Sequence, residues 1–157
     1  MARSYSSMVL DHPAAEVWRV IRPFDHYAWA GVESTTMIED HKSGDQVGAV
    51  RCVSFGGNVI RQRLLAHSDI ERSYSYCFCG TAPFPVQDYE ATLRVSPVTA
   101  DNSSFVEWWA TFDCAADERD KWVQHFELQG FAKWLAALRH FMAQRMTRST
   151  ESARTDA

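Results

Sequence analysis

The chain is short of basic charge, glycine and long apolar runs, and each shortage excludes something. Net charge is −4 over 157 residues, and no basic run precedes the C-terminal tail. Nothing in that balance makes an electrostatic footprint for nucleic acid. No apolar stretch approaches the roughly 20 residues of a membrane span. The N-terminal MARSYSSMVLDHP lacks the apolar core of a signal peptide, so the expected compartment is the cytoplasm. The seven glycines build no phosphate-cradling loop. The four cysteines, Cys52, Cys77, Cys79 and Cys114, suit free thiols in that compartment. Cys77-x-Cys79 lacks the further ligands a zinc site needs, so neither metal nor cofactor is expected. No cysteine–histidine–aspartate nucleophile set is recognisable.

What the chain has is aromatic. Thirteen per cent of residues are Phe, Trp or Tyr, and the six Trp supply large rigid walls. The length fits one domain, residues 1–146, with a polar tail over 147–157 expected to fray. Near the end, Asp117–Met146 contains no proline. Trp122, Phe126, Trp134, Leu138, Phe141 and Met142 recur there at three- and four-residue steps, the period of one helix face. Acidic residues lead that stretch and arginines close it, matching the helix dipole. The helix is about 40 Å long and needs a surface of similar length to lie against. Gly130 interrupts its stripe. It is either a tolerated glycine, costing about 1 kcal/mol against alanine, or room left for something between helix and sheet.

The preceding residues read as that surface. Ser4–Leu10 is strand-like. Asp11 or His12 can cap a short helix over Ala14–Ile21, and Pro13 suits its first turn. Phe24–Ala30 reads as a second short helix closed by Gly31. Strands follow at Val32–Ile38, Val47–Phe55, Val59–Ala66, Ser73–Cys79, Val86–Val95 and Phe105–Cys114, separated by turn-rich stretches such as Gly56-Gly57-Asn58. Hairpin-length connections imply an antiparallel sheet. The expected class is α+β: a curved seven-stranded sheet around a long C-terminal helix, with two short helices between strands 1 and 2.

The residues also carry a resemblance. Pro13-Ala14-Ala15-Glu16-Val17-Trp18 after the first strand, Phe24-Asp25 with Trp29, Gly48…Arg51, Arg63-Leu64…Asp69, Tyr76, Tyr89, Pro97 and Trp108…Phe112 occur in a telling order. Together they resemble the START/Bet v 1-like (SRPBCC) superfamily with its helix-grip fold, and within it the polyketide cyclase/dehydrase-like branch. The resemblance spans Ser4 to Met142. It implies a deep, mostly apolar cavity between helix and sheet for a small hydrophobic molecule. It does not extend to the ligand anchors of the plant hormone receptors in that superfamily. Gln62 stands where those have a glutamate, and Ala30-Gly31-Val32 offers no lysine for a ligand carboxylate.

Strand alternation sorts the candidates. Arg51, Val53 and Phe55 share one face, which the resemblance puts inward. Gln62, Leu64 and Ala66 follow, then Tyr76 with Tyr74 and Phe78, then Tyr89 and Ala91, then Trp108 with Ala110. With Phe126, Gly130 and Trp134 from the helix, and leaving aside Ala66 and Tyr74, these are the expected ligand-binding residues. Arg51 is the one charged group on that face. Buried and unpaired it would be costly, so it meets an anion, bonds a loop carbonyl or lies at the rim. Tyr76 and Tyr89 either orient or protonate a carbonyl oxygen, or are core tyrosines. His26 lies near the expected mouth and is either an acid–base group or a surface histidine. His67, His125 and His140 read as solvated. The candidates for catalysis are Arg51, Tyr89 and His26. Outward Trp109 with Arg61 and Arg63 could serve a homodimer surface.

Three functions follow. The first is binding of a small hydrophobic, aromatic or polyketide-like molecule. The second is a cofactor-free cyclase or dehydratase in which arginine, glutamine and tyrosine polarise carbonyls. The third is a contact protein with no ligand. Arginine, glutamine and tyrosine are weak general bases, which favours binding unless His26 reaches inside.

Overall fold

The computed structural model describes residues 1–31, 35–55 and 57–155, and of Thr35 and Phe55 only the backbone. Seven strands form one antiparallel sheet: β1 (Ala2–Leu10), β2 (Thr35–Ile38), β3 (Val50–Phe55), β4 (Asn58–Ser68), β5 (Ser73–Phe78), β6 (Gln87–Val98) and β7 (Ser103–Asp113). Their order is β1-β7-β6-β5-β4-β3-β2. Every neighbour from β2 to β7 is joined to the next by a hairpin, and β1 closes on β7 through the pairing Ala2–Phe112 to Leu10–Ser104. The long alternating strands β6 and β7 are buried on every second residue, as one covered face requires.

Helix α1 spans Ala14–Ile21 as its apolar spacing demands, with Val17, Trp18, Val20 and Ile21 buried. Neither Asp11 nor His12 caps it. Pro13 itself occupies the cap, and its carbonyl accepts from the backbone N–H groups of Glu16 and Val17. The second short helix shrinks to a single 3-10 turn, Ala28–Ala30. Pro23 and Gly31 leave too little chain between them for more. Gly31 takes φ +71°, and a Cβ there would lie 3.0 Å from the Ala137 Cβ, so this turn rests closely on the C-terminal helix. The expected strand at Val32–Ile38 is seen from Thr35 onward, and residues 32–34 lie outside the described set.

The long helix is one continuous rod with a fault in it. An α-helical turn, α2 (Arg119–Gln124), runs into a π-helical segment, His125–Phe131, which runs into α3 (Ala132–Thr155). The buried positions explain the fault. Trp122 and Phe126 are four apart, Phe126 and Phe131 five, and Phe131, Leu135, Leu138 and Met142 four, three and four. The five-residue step is one residue too many for an α-turn, and a wider π-turn absorbs it. Phe131 and Leu135 thereby replace Trp134 as the deepest contacts, and Trp134 and Phe141 sit at the flank. The stretch after Met146, expected as a polar tail, is helical in this structure. The helix continues to Thr155, because no glycine or proline stops it, and Thr147, Ser149, Thr150 and Thr155 bond carbonyls four residues back. Among the described residues, no helix is long and apolar enough to cross a membrane.

On the outer face of the sheet, Trp109 lies between the guanidinium groups of Arg3 and Arg94, 5.9 and 5.4 Å from their carbon centres. Arg61 makes a two-pronged ion pair with Glu39 at 2.7 Å. Both are engaged within their own chain.

Candidate ligand cavity

The concave face of the sheet is filled over one half and open over the other. In the filled half, Trp108 on β7 is wholly buried and stacks on Phe131 with ring centres 5.3 Å apart. Trp29 and Trp134 meet the same indole at 5.8 and 5.1 Å. Phe112 meets Phe126 at 5.0 Å, and Tyr89 meets Phe126 at 5.1 Å. Ala91, Leu93, Ala110 and Leu64 have no exposed surface.

The open half is a cavity of about 330 Å³ beneath the π segment. Its sheet wall is Val53, Ile60, Gln62 and Phe78, and Tyr27 and Phe84 complete the lining. The helix wall is His125, Phe126, Gln129, Gly130, Lys133 and Trp134. Four of those six belong to the π segment. Gly130 keeps this wall thin: a Cβ there would touch only the Trp134 indole, at 3.5 Å. Phe84 hangs from the loop between two prolines and packs edge-on to Phe126 at 5.4 Å and against His125 at 5.1 Å. Phe78 and Phe84 also border a larger, more polar groove of about 790 Å³, which that loop lines together with Asp113, Cys114 and Ala115.

Of the expected lining residues, Val53, Gln62, Phe78, Phe126, Gly130 and Trp134 meet at this cavity. Leu64, Tyr76, Ala91, Trp108 and Ala110 lie in the solid core instead, and Tyr89 borders the outer groove. The side chain of Phe55 is outside the described residues. Ala66 turns outward, because a bulge between Leu64 and Ala66 resets the alternation and brings His67 in against Trp18 at 5.5 Å. His67 is therefore half-buried rather than solvated. His26 borders neither space: it packs edge-on to Phe141 at 6.2 Å, and its Nδ1 lies 3.4 Å from the Val20 carbonyl. His125, read from the sequence as solvated, is the histidine that reaches the cavity.

Arg51 is fully buried one layer behind the wall. Its carbon centre lies 4.1 Å from the Phe24 ring centre, 4.4 Å from Tyr27 and 5.0 Å from Tyr76. Its Nε donates to Gln62 Oε1 at 2.7 Å, and one terminal nitrogen donates to the Phe24 carbonyl at 3.4 Å. The other terminal nitrogen and the Tyr74 hydroxyl have no partner among the described residues. Among those residues no carboxylate pairs with Arg51, so the negative faces of three rings replace a counter-ion.

The tyrosines are phenols, not bases. Burial pushes the Tyr27 and Tyr89 hydroxyls well above their ordinary range, and neighbouring phenols push the same way. Burial likewise raises Tyr74 and Tyr76 against the opposing pull of Arg51. Tyr76 accepts from Trp108 Nε1 at 3.2 Å. Among the described residues, no group of three or more histidine, cysteine or carboxylate side chains could hold a metal.

Sequence reasoning missed Tyr27, Ile60, Phe84, Gln129 and Lys133 as lining and read His125 as solvated. Two signals were available. His125, Gln129 and Lys133 recur at four-residue steps flanking Gly130, and Phe84 is a lone aromatic set between prolines.

A curved antiparallel sheet gripping a C-terminal helix over an apolar hollow defines a helix-grip protein. The chain belongs to the polyketide cyclase / dehydrase and lipid transport family, whose model matches residues 1–151. It is similar to XoxI from Bacillus cereus, with 29% identity, TM-score 0.76, and coverage of 89% of this chain and 94% of that one. It shares its fold with BexL, a di-domain aromatase/cyclase from the BE-7585A biosynthetic pathway, at 18% identity and TM-score 0.72, covering 89% of this chain and 46% of that one. It shares it also with Ara h 8.0201, at 14% identity and TM-score 0.65, covering 90% and 97%. No curated protein matches the sequence.

Proposed function

We propose that the protein binds a small hydrophobic, aromatic or polyketide-like molecule in the cavity beneath the π segment. One observation carries the reading. The stretch where the helix abandons α geometry is the stretch that roofs the apolar space, and π segments concentrate at functional sites. A volume of about 330 Å³ lies at the small end of ligand pockets. It suits a ligand of one to three fused rings. Native mass spectrometry of freshly purified protein tests this. The expected spectrum carries an added small mass that organic extraction removes. A spectrum without it, joined to no uptake of aromatic probes, contradicts the reading.

His125 supports a second reading, a cofactor-free cyclisation or dehydration. An imidazole at the cavity wall can take a proton from a carbon acid and return it to an oxygen. Gln62 would polarise a carbonyl meanwhile. If the extracted molecule is altered by the wild-type protein and left intact by His125→Gln, with binding retained, the enzyme reading holds. Unaltered ligand in both leaves a carrier.

A further inference from the structure

Gln62 is the one polar side chain that the sheet sends to the cavity among the described residues. A glutamine amide has a donor end and an acceptor end, and which end faces a ligand is normally open. Here it is decided. Arg51 Nε approaches the amide at 2.7 Å. A guanidinium only donates, so the amide oxygen must face it. Arg51 cannot turn away, because it is fully buried among the rings of Phe24, Tyr27 and Tyr76 and donates to the Phe24 carbonyl. The amide nitrogen of Gln62 is left without a protein partner among the described residues.

The rest of the lining has the same sign. Lys133 supplies an ammonium at the rim, and no aspartate or glutamate borders the cavity among the described residues. The Arg51 charge sits directly behind Gln62. The cavity thus offers an apolar slot, a fixed N–H donor on the sheet side and positive charge from both sides.

Building on the binding reading above, we propose that the ligand is a flat aromatic acid of one or two rings. An oxygen of its anionic group accepts from the Gln62 amide nitrogen, and Lys133 contributes charge at the mouth. Gln62 and Lys133 are then the specificity-determining residues, and Arg51 is a positioning residue that acts through Gln62.

Three probes of one shape test this by fluorescence or calorimetric titration: 2-naphthoate, 2-naphthylmethanol and naphthalene. The wild-type protein is expected to bind 2-naphthoate about tenfold or more tightly than naphthalene, with the alcohol between them. Gln62→Glu keeps the bond to Arg51 but removes the donor. It should lose at least about tenfold on 2-naphthoate and hold naphthalene within about twofold. Lys133→Gln should lose several-fold on 2-naphthoate alone and flatten its salt dependence. Equal affinity for 2-naphthoate and naphthalene in the wild type overturns this proposal and leaves the binding reading standing. So does Gln62→Glu with unchanged affinity for 2-naphthoate. Failure of all three probes to bind overturns both.

Discussion

On the β7 side the two layers touch through Trp108 and Phe112 of the strand, Phe131 of the π segment and Trp29 of the 3-10 turn, all without exposed surface. On the β3–β4 side they stand apart, and Val53, Ile60 and Gln62 line a cavity with His125 and Gln129 of the π segment and Lys133 of α3. The same helix and the same sheet make both contacts. The difference lies in side-chain volume and in one backbone step. Where strands β6 and β7 alternate large and small inward residues, Leu93 and Trp108 against Ala91 and Ala110, the helix's phenylalanines interdigitate. Where Gly130 presents no side chain and the π-turn widens the rod, nothing fills the space. Stability is thus concentrated at one end of the grip, and room for chemistry at the other.

That contrast can be broken most forcefully from the packed side. Trp108→Ala removes the indole on which Phe131 stacks and should cost about 3–5 kcal/mol, read as a lowered urea midpoint. If it costs no more than a surface change, the packed half is not the stabilising half. Gly130→Trp attacks the other side. It should fill the cavity and abolish probe uptake, with cooperative unfolding retained and stability altered by under about 2 kcal/mol. Unchanged uptake would mean that the ligand does not sit beneath the π segment. Phe84→Ala removes a wall shared by the cavity and the outer groove. It should cost only about 1 kcal/mol, since the ring is half-buried, and should admit probes longer than naphthalene derivatives. A strict size limit that survives this change would show that Phe84 is no barrier.

The smallest effect concerns acid. Arg61 and the Cys52 thiol hold the Glu39 carboxyl down to about 2 from its ordinary 4.5. Arg22 and Trp18 Nε1 hold Asp69 well below its usual range by the same means. A carboxyl depressed in the folded state stabilises fully above the unfolded value, and the contribution is lost as pH falls toward the folded one. The urea midpoint should therefore decline between about pH 4.5 and pH 2, and Arg61→Gln should flatten the part due to Glu39. Both carboxylates are partly exposed, so the decline should be shallow and reduced by salt. Neither pair touches the cavity, and probe affinity should not follow the stability curve.

Much of the architecture was legible because it rests on periodicities. Inward and outward faces of β5, β6 and β7 follow from alternation, and the α1 limits from Pro13 and Pro23. The site was legible only in part. Val53, Gln62, Phe78, Phe126, Gly130 and Trp134 could be placed on the right faces, but facing inward did not distinguish a residue that fills the core from one that borders a hollow. Tyr76, Ala91, Trp108 and Ala110 face inward and are packed solid. The bulge after Leu64 defeated alternation, since one extra residue exchanges the faces of Ala66 and His67.

The amino-acid order by itself determined the elements, their antiparallel pairing and the apolar stripe, because each is written in local spacing of side chains along the backbone. Three things were decided only when the layers met. The five-residue step from Phe126 to Phe131 became a π segment when both rings had to reach one core. His125, and not His26, came to the cavity wall. The amide of Gln62 was turned by a buried arginine eleven residues away in sequence. Each depends on which volumes compete for the same space, and that competition exists only between residues the fold has brought together.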